Sequence, residues 1–153
     1  MKVKLLLAGF LTLFFVSQPA LAEKGKGPVW LTSWDEAAKQ SKATGKPILM
    51  DFTGSDWCGW CIKLKEEVFD TEYFKTWAAK KVVLLEVDFP RKTELPAKQQ
   101  AQNDKLAEKF AVEGFPTIIF ADHQGKQLSQ FGYDEGGPKA WTAKAEAGWP
   151  KKK

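Results

Sequence analysis

Ile48-Leu49-Met50-Asp51-Phe52-Thr53-Gly54-Ser55-Asp56-Trp57-Cys58-Gly59-Trp60-Cys61 is the stretch on which the fold turns. Its first five residues are a short apolar run between Pro47 and Gly54, which predicts a buried strand with one carboxylate inside it. Thr53 to Asp56 predict a turn, with Asp56 as a turn residue. Beyond the second cysteine, Ile62, Leu64, Val68 and Phe69 have helical spacing. A Cys-x-x-Cys pair thus sits where a strand gives way to a helix. A helix starting at or beside Cys58 aims free N–H groups and the positive end of its dipole at the first sulfur, favouring thiolate over thiol. Lowering a thiol pKa from ~8.5 to ~7 corresponds to about 2 kcal/mol of thiolate stabilisation. Cys61 lies one turn on, close enough to attack a mixed disulfide at Cys58.

Working outward, Ser33 and Glu36 form a capping box for a helix from Trp34 to about Ala43, which Gly45 can close. After the cysteines, a short aromatic helix over Thr71 to Ala79 leads into a second buried strand, Val82 to Asp88. Phe89 to Pro96 holds two prolines and several charges and predicts a loop. A helix from near Ala97 ends around Leu106, Ala107, Phe110 and Ala111. Gly114-Phe115-Pro116 interrupts, and Thr117 to Phe120 form a third strand. Asp122-His123-Gln124-Gly125 predicts a hairpin turn into a fourth strand, Lys126 to Phe131. A last helix spans about Pro138 to Ala147. Trp30, Trp34, Trp77 and Trp141 fall at helix-facing positions and are expected to pack.

The chain has 153 residues, 44% hydrophobic and 27% charged, which excludes a disordered or collagen-like protein and suits one domain. Met1 to Ala22 carry Lys2 and Lys4, an apolar stretch from Leu5 to Val16, and the small-residue site Ala20-Leu21-Ala22, the three parts of a secretory signal peptide. The apolar stretch is shorter than the ~20 residues a membrane span needs, so cleavage after Ala22 and no stable membrane insertion of the mature chain are expected. Removing Lys2 and Lys4 from the 23 basic residues leaves 21 against 19 acidic ones, interleaved, so no nucleic-acid partner is expected. The expected organisation is a signal peptide (1–22), a flexible lead-in (23–29), one domain (30–148) and a basic tail (149–153). An export signal places the cysteines in a periplasmic or secreted compartment, where disulfides persist.

Three signals in order, Asp51-Phe52, Trp57-Cys58-Gly59-Trp60-Cys61 and Gly114-Phe115-Pro116-Thr117, resemble the thioredoxin superfamily over nearly the whole mature chain. Phe-Thr-Gly-Ser ahead of the cysteines is most similar to exported thioredoxin-like proteins and to the periplasmic C-terminal domain of the transmembrane thiol reductase. The resemblance implies an α/β thioredoxin fold: a central mixed sheet of four or five strands flanked by helices, with a cis bond between Phe115 and Pro116. It implies that Pro116 packs against the disulfide and that the backbone of Phe115 pairs with a bound substrate chain. It gives Asp51 the role of the buried carboxylate that exchanges a proton with Cys61. Burial in an apolar strand would raise the Asp51 pKa and suit that role, although structural hydrogen bonds are the alternative reading. Trp57 matches the family tryptophan. Trp60 is particular to this chain and, with Trp57 and Gly59, would rim the docking site.

The expected function is an exported thiol-disulfide oxidoreductase of the protein-disulfide reductase type. Cys58 attacks, a mixed disulfide forms with a protein partner, and Cys61 resolves it. A second redox protein must exchange the electrons, because the chain carries one cysteine pair. No cofactor is expected. A zinc site lacks ligands, with only His123 beside the two thiols, and Ile62 stands where covalent haem attachment needs histidine. A structural disulfide, a Cu(I) chaperone and a noncatalytic peptide-binding module with a stable disulfide stay open as alternatives.

Overall fold

The computed structural model describes residues 27–149. The expected signal peptide, most of the lead-in and all of the basic tail beyond Trp149 lie outside the described residues.

A two-residue strand β1 (Trp30–Leu31) precedes helix α1 (Trp34–Thr44) and strand β2 (Ile48–Thr53). Helix α2 (Gly59–Leu64) then runs into a π-helical turn (Lys65–Phe69), followed by α3 (Glu72–Lys81) and β3 (Val83–Asp88). Helix α4 (Ala97–Lys109), the hairpin β4 (Thr117–Ala121) and β5 (Gln127–Phe131), and α5 (Gly137–Ala147) complete the chain. The five strands form one mixed sheet in the order β1-β3-β2-β4-β5. β3 runs parallel to both β1 and β2, whereas β4 is antiparallel to β2 and β5 to β4.

Local chemistry sets the element ends. The Ser33 hydroxyl accepts the Glu36 N–H at 3.4 Å, and Gly45 adopts a left-handed φ of 69° so that its N–H reaches Ser41 O. Thr71 caps α3 in the same way, accepting the Phe74 N–H at 3.2 Å. Alternation along the strands then sorts side chains into two apolar layers. Ile48, Met50 and Phe52 pack with Leu85, Ile119 and Phe110 under α1 and α4. Leu49, Leu84, Ile118 and Phe120 pack on the other face with Leu64, Phe69, Phe74 and the fully buried Trp141. Each such side chain contributes roughly 1.5–3 kcal/mol through burial. On that second face the row Leu49–Leu84 is followed by Asp51–Glu86 and then Thr53–Asp88, so the layer turns polar toward the carboxyl end of β2.

Three expectations need correction. Trp30 lies in a strand, too short to show any periodicity, rather than on a helix. Ile62 is 39% exposed and does not share the buried face of Leu64, Val68 and Phe69, because residues two apart on a helix do not face each other and the π turn shifts the register behind it. Val82 ends α3 instead of opening β3.

Candidate active site

The site is built where β2 ends. The Gly54 carbonyl accepts the N–H groups of Trp57 (3.1 Å) and Cys58 (2.8 Å), folding residues 54–58 into a tight turn. A side chain at Gly54 would collide with the Trp57 indole, at 2.4–2.7 Å, so only glycine lets that ring lie against the turn.

The turn is tied to the last residue of β3 and to the loop that follows it. Ser55 donates its N–H and hydroxyl to Asp88 at 2.9 and 2.6 Å. Trp57 Nε1 donates to Phe89 O at 2.8 Å, and the Arg91 guanidinium lies 3.6 Å over the Trp57 ring. Asp56 does more than occupy a turn: its carboxylate accepts the N–H groups of Arg91 (3.0 Å) and Lys92 (2.7 Å). The Arg91 N–H is the main reason that this carboxyl is held below its usual range. Phe115 completes the wall, stacked on Phe89 at 5.2 Å and edge-on to Trp57 at 5.9 Å.

Cys58 is the N-cap of α2, with extended backbone, and its Sγ accepts the Cys61 N–H at 3.3 Å. The two sulfurs form a disulfide across a Cα–Cα distance of 5.2 Å. Both cysteines are nearly buried, whereas Trp60 between them is 57% exposed. Its ring meets Tyr133, from the loop after β5, at 5.1 Å, and Lys63 Nζ stands about 5 Å from both rings. The Tyr133 hydroxyl donates to Glu67 at 2.7 Å, which anchors this aromatic rim to the π turn.

The Phe115–Pro116 peptide bond is cis and leads directly into β4. Because β4 pairs antiparallel with β2, Thr117 lies opposite Phe52 and Ile118 opposite Asp51, which brings Pro116 to the same end of the sheet as the cysteines. Asp51 is buried, and its Oδ1 has no hydrogen-bond partner. Desolvation first, then the charges of Glu86 and Asp88, push its carboxyl up to about 8 against an opposing pull from Lys65. The structural alternative for Asp51, a carboxylate satisfied by hydrogen bonds, therefore does not describe Oδ1. His123 is exposed in the turn before β5, at the opposite end of the sheet from the cysteines. Among the described residues no group of three or more His, Cys, Asp or Glu is placed to hold a metal ion.

A strand-turn-helix junction carrying a Cys-x-x-Cys disulfide, faced by a cis-proline loop on a mixed sheet, defines a thiol-disulfide oxidoreductase of the thioredoxin superfamily. The chain belongs to the thioredoxin-like domain family, whose model matches residues 34–136. It is 41% identical over 115 residues to the disulfide bond reductase DsbH of Chlamydia pneumoniae, covering 75% of this chain and 69% of that protein. It is 35% identical over 92 residues to the thiol:disulfide interchange protein DsbD of Actinobacillus pleuropneumoniae serotype 5b (strain L20), covering 60% of this chain but only 14% of that protein. A solved structure of a DsbH oxidoreductase superposes with a TM-score of 0.78 at 35% identity, covering 88% of this chain and 95% of that one. A thioredoxin from Thermus thermophilus shares the fold, with a TM-score of 0.58 at 15% identity over 80% of this chain and 87% of that one.

Sequence reasoning missed Glu86, Asp88, Arg91 and Tyr133, which reach the site from other strands and loops. Asp88 and Arg91 carried a weak signal, as charges flanking the end of an apolar strand.

Proposed function

We propose that this chain is an exported reductase of protein disulfides, working through Cys58 and Cys61. The observation that carries this reading is the Cys58–Cys61 disulfide at the start of α2, with Cys58 Sγ already accepting a helix N–H at 3.3 Å. That donor, and those freed at the helix start, favour the Cys58 thiolate once the pair is reduced. The thiolate attacks a partner disulfide, and one partner sulfur leaves with the electron pair. Cys61 then attacks Cys58 in the mixed disulfide, restoring the intramolecular bond and releasing the partner as a dithiol. A separate dithiol protein must reduce the pair again. The Phe115 backbone aligns the partner chain beside Pro116, and Trp57, Gly59 and the exposed Trp60 rim the groove. Asp51 serves as proton acceptor for Cys61.

Export rests on the tripartite Met1–Ala22 segment. The expected boundary at 148 needs correction, because the Trp149 ring packs on Phe120 at 5.1 Å and on Trp77 at 5.8 Å, so the proposed domain is 30–149 and the proposed basic tail 150–153. No helix among the described residues is long and apolar enough to cross a membrane. The reducing direction rests on the uncharged pair Gly59-Trp60 between the cysteines and on the reductase named among the relatives. The reduction potential should lie roughly between −200 and −270 mV. Equilibration with glutathione buffers measures it, and a value above about −150 mV would overturn the reductase direction.

A further inference from the structure

Asp51 and Glu86 are register partners on adjacent parallel strands and point to the same face of the sheet, so their Cα atoms are about 4.8 Å apart. They differ in access to water: Asp51 is 8% exposed with Oδ1 unpartnered, while Glu86 is only half buried. The charged groups acting on this pair are few. Asp88, the next residue on that face of β3, is occupied by the two Ser55 donors. Lys65, from the π turn above, is engaged with Asp70 at 2.5 Å and offsets the acids only in part. Glu86 enters no ion pair among the described residues. A more exposed carboxylate with no counterion of its own therefore stands beside the buried acid, one strand over.

We propose that Glu86 is the positioning residue for Asp51: as its register neighbour on β3 it acts on the Asp51 carboxyl through its charge and passes the proton taken up there to solvent. This rests on the proposed role of Asp51. In the resolving step, the Cys61 thiol gives its proton to the Asp51 carboxylate. The resulting thiolate attacks Cys58 Sγ of the mixed disulfide, and the partner thiolate leaves with the electron pair. Asp51 returns the proton to that thiolate or, through Glu86, to water, and both carboxyls end as they began. That neighbouring charge matters because a carboxylate of ordinary acidity, ~3.9, would take a proton from a thiol of ~8.5 in only a minute fraction of encounters. Burial raises both carboxyls, and at Asp51 the like charges of Glu86 and Asp88 add to it.

The test is a 13C carboxyl NMR titration of Asp51 in the oxidised protein. In Glu86→Gln the Asp51 midpoint should fall by roughly one unit or more, and Glu86→Asp, which keeps the charge, should restore most of it. Glu86→Thr, which suits a strand, should give the same fall if the Gln variant does not fold. In rapid-mixing experiments the pH midpoint of the resolving step should move down with Glu86→Gln and vanish in Asp51→Asn. An Asp51 midpoint in Glu86→Gln within about 0.3 unit of wild type, or above it, overturns the coupling. A shifted Asp51 midpoint with an unmoved rate profile overturns the relay while leaving the carboxyl pair. If the wild-type protein reduces no protein disulfide yet the Asp51 midpoint falls as expected, the functional reading fails and the pairing stands.

Discussion

Replacing Asp51 with Asn should stabilise the oxidised protein by an amount that grows with pH. In the native chain burial raises the Asp51 carboxyl from 3.8 to about 8, with Glu86 and Asp88 adding to the effect. Between those limits the folded protein keeps a proton that the unfolded chain has already released. Wild-type stability therefore falls as pH rises through that window and levels off above it. From pH 4 to 7 the interval spans about three units at ~1.4 kcal/mol each, or about 4 kcal/mol. That is a large part of the 5–15 kcal/mol that holds a typical domain together. Asparagine keeps the shape and a buried polar group but cannot ionise, so the difference between variant and wild type isolates the titration. Glu86 is raised by burial and by Asp88 in both proteins, and its charge enters the difference only through its effect on Asp51. Urea unfolding of the two oxidised proteins at intervals from pH 4 to 9 measures it. A stability difference constant to within about 0.5 kcal/mol from pH 4 to 8 would refute the reasoning, because Asp51 would then be as acidic in the fold as outside it.

Two further outcomes are expected. Cys61→Ser should accumulate mixed disulfides between Cys58 and exported proteins on nonreducing gels, and Cys58→Ser should accumulate far fewer; equal trapping by both would contradict the assigned order of attack. Gly54→Ala should lower stability by roughly 1–3 kcal/mol and shift Trp fluorescence, since the new methyl meets the Trp57 indole at 2.4–2.7 Å; an unchanged melting temperature would show that the ring does not lie against the turn.

The parts of the fold written in contiguous residues were legible from sequence. Ser33, Glu36 and Gly45 mark both ends of α1, and the apolar run ahead of Gly54 marks β2 with Asp51 inside it. The cysteine pair was legible because strand, turn and helix signals follow one another without interruption. What escaped depends on contacts between distant segments. Nothing near Glu86 announces that its neighbour across the sheet is Asp51; that follows from the parallel register of β2 and β3. The bond between Asp56 and the Arg91 N–H spans 35 positions, and that between Tyr133 and Glu67 spans 66. β1 was invisible because two residues show no period.

The anchoring of residues 55–57 to the last residue of β3 and the loop that follows it bears on how the protein survives its own chemistry. Ser55, Asp56 and Trp57 are each held by hydrogen bonds to residues 88–92, none of which involves sulfur. A disulfide spanning three positions constrains the unfolded chain little, so opening it removes little from the stability of the domain. The scaffold can therefore cycle between its two oxidation states as an idle frame, with the shape a docking chain meets set by carboxylates and an indole and not by whether the sulfurs are joined.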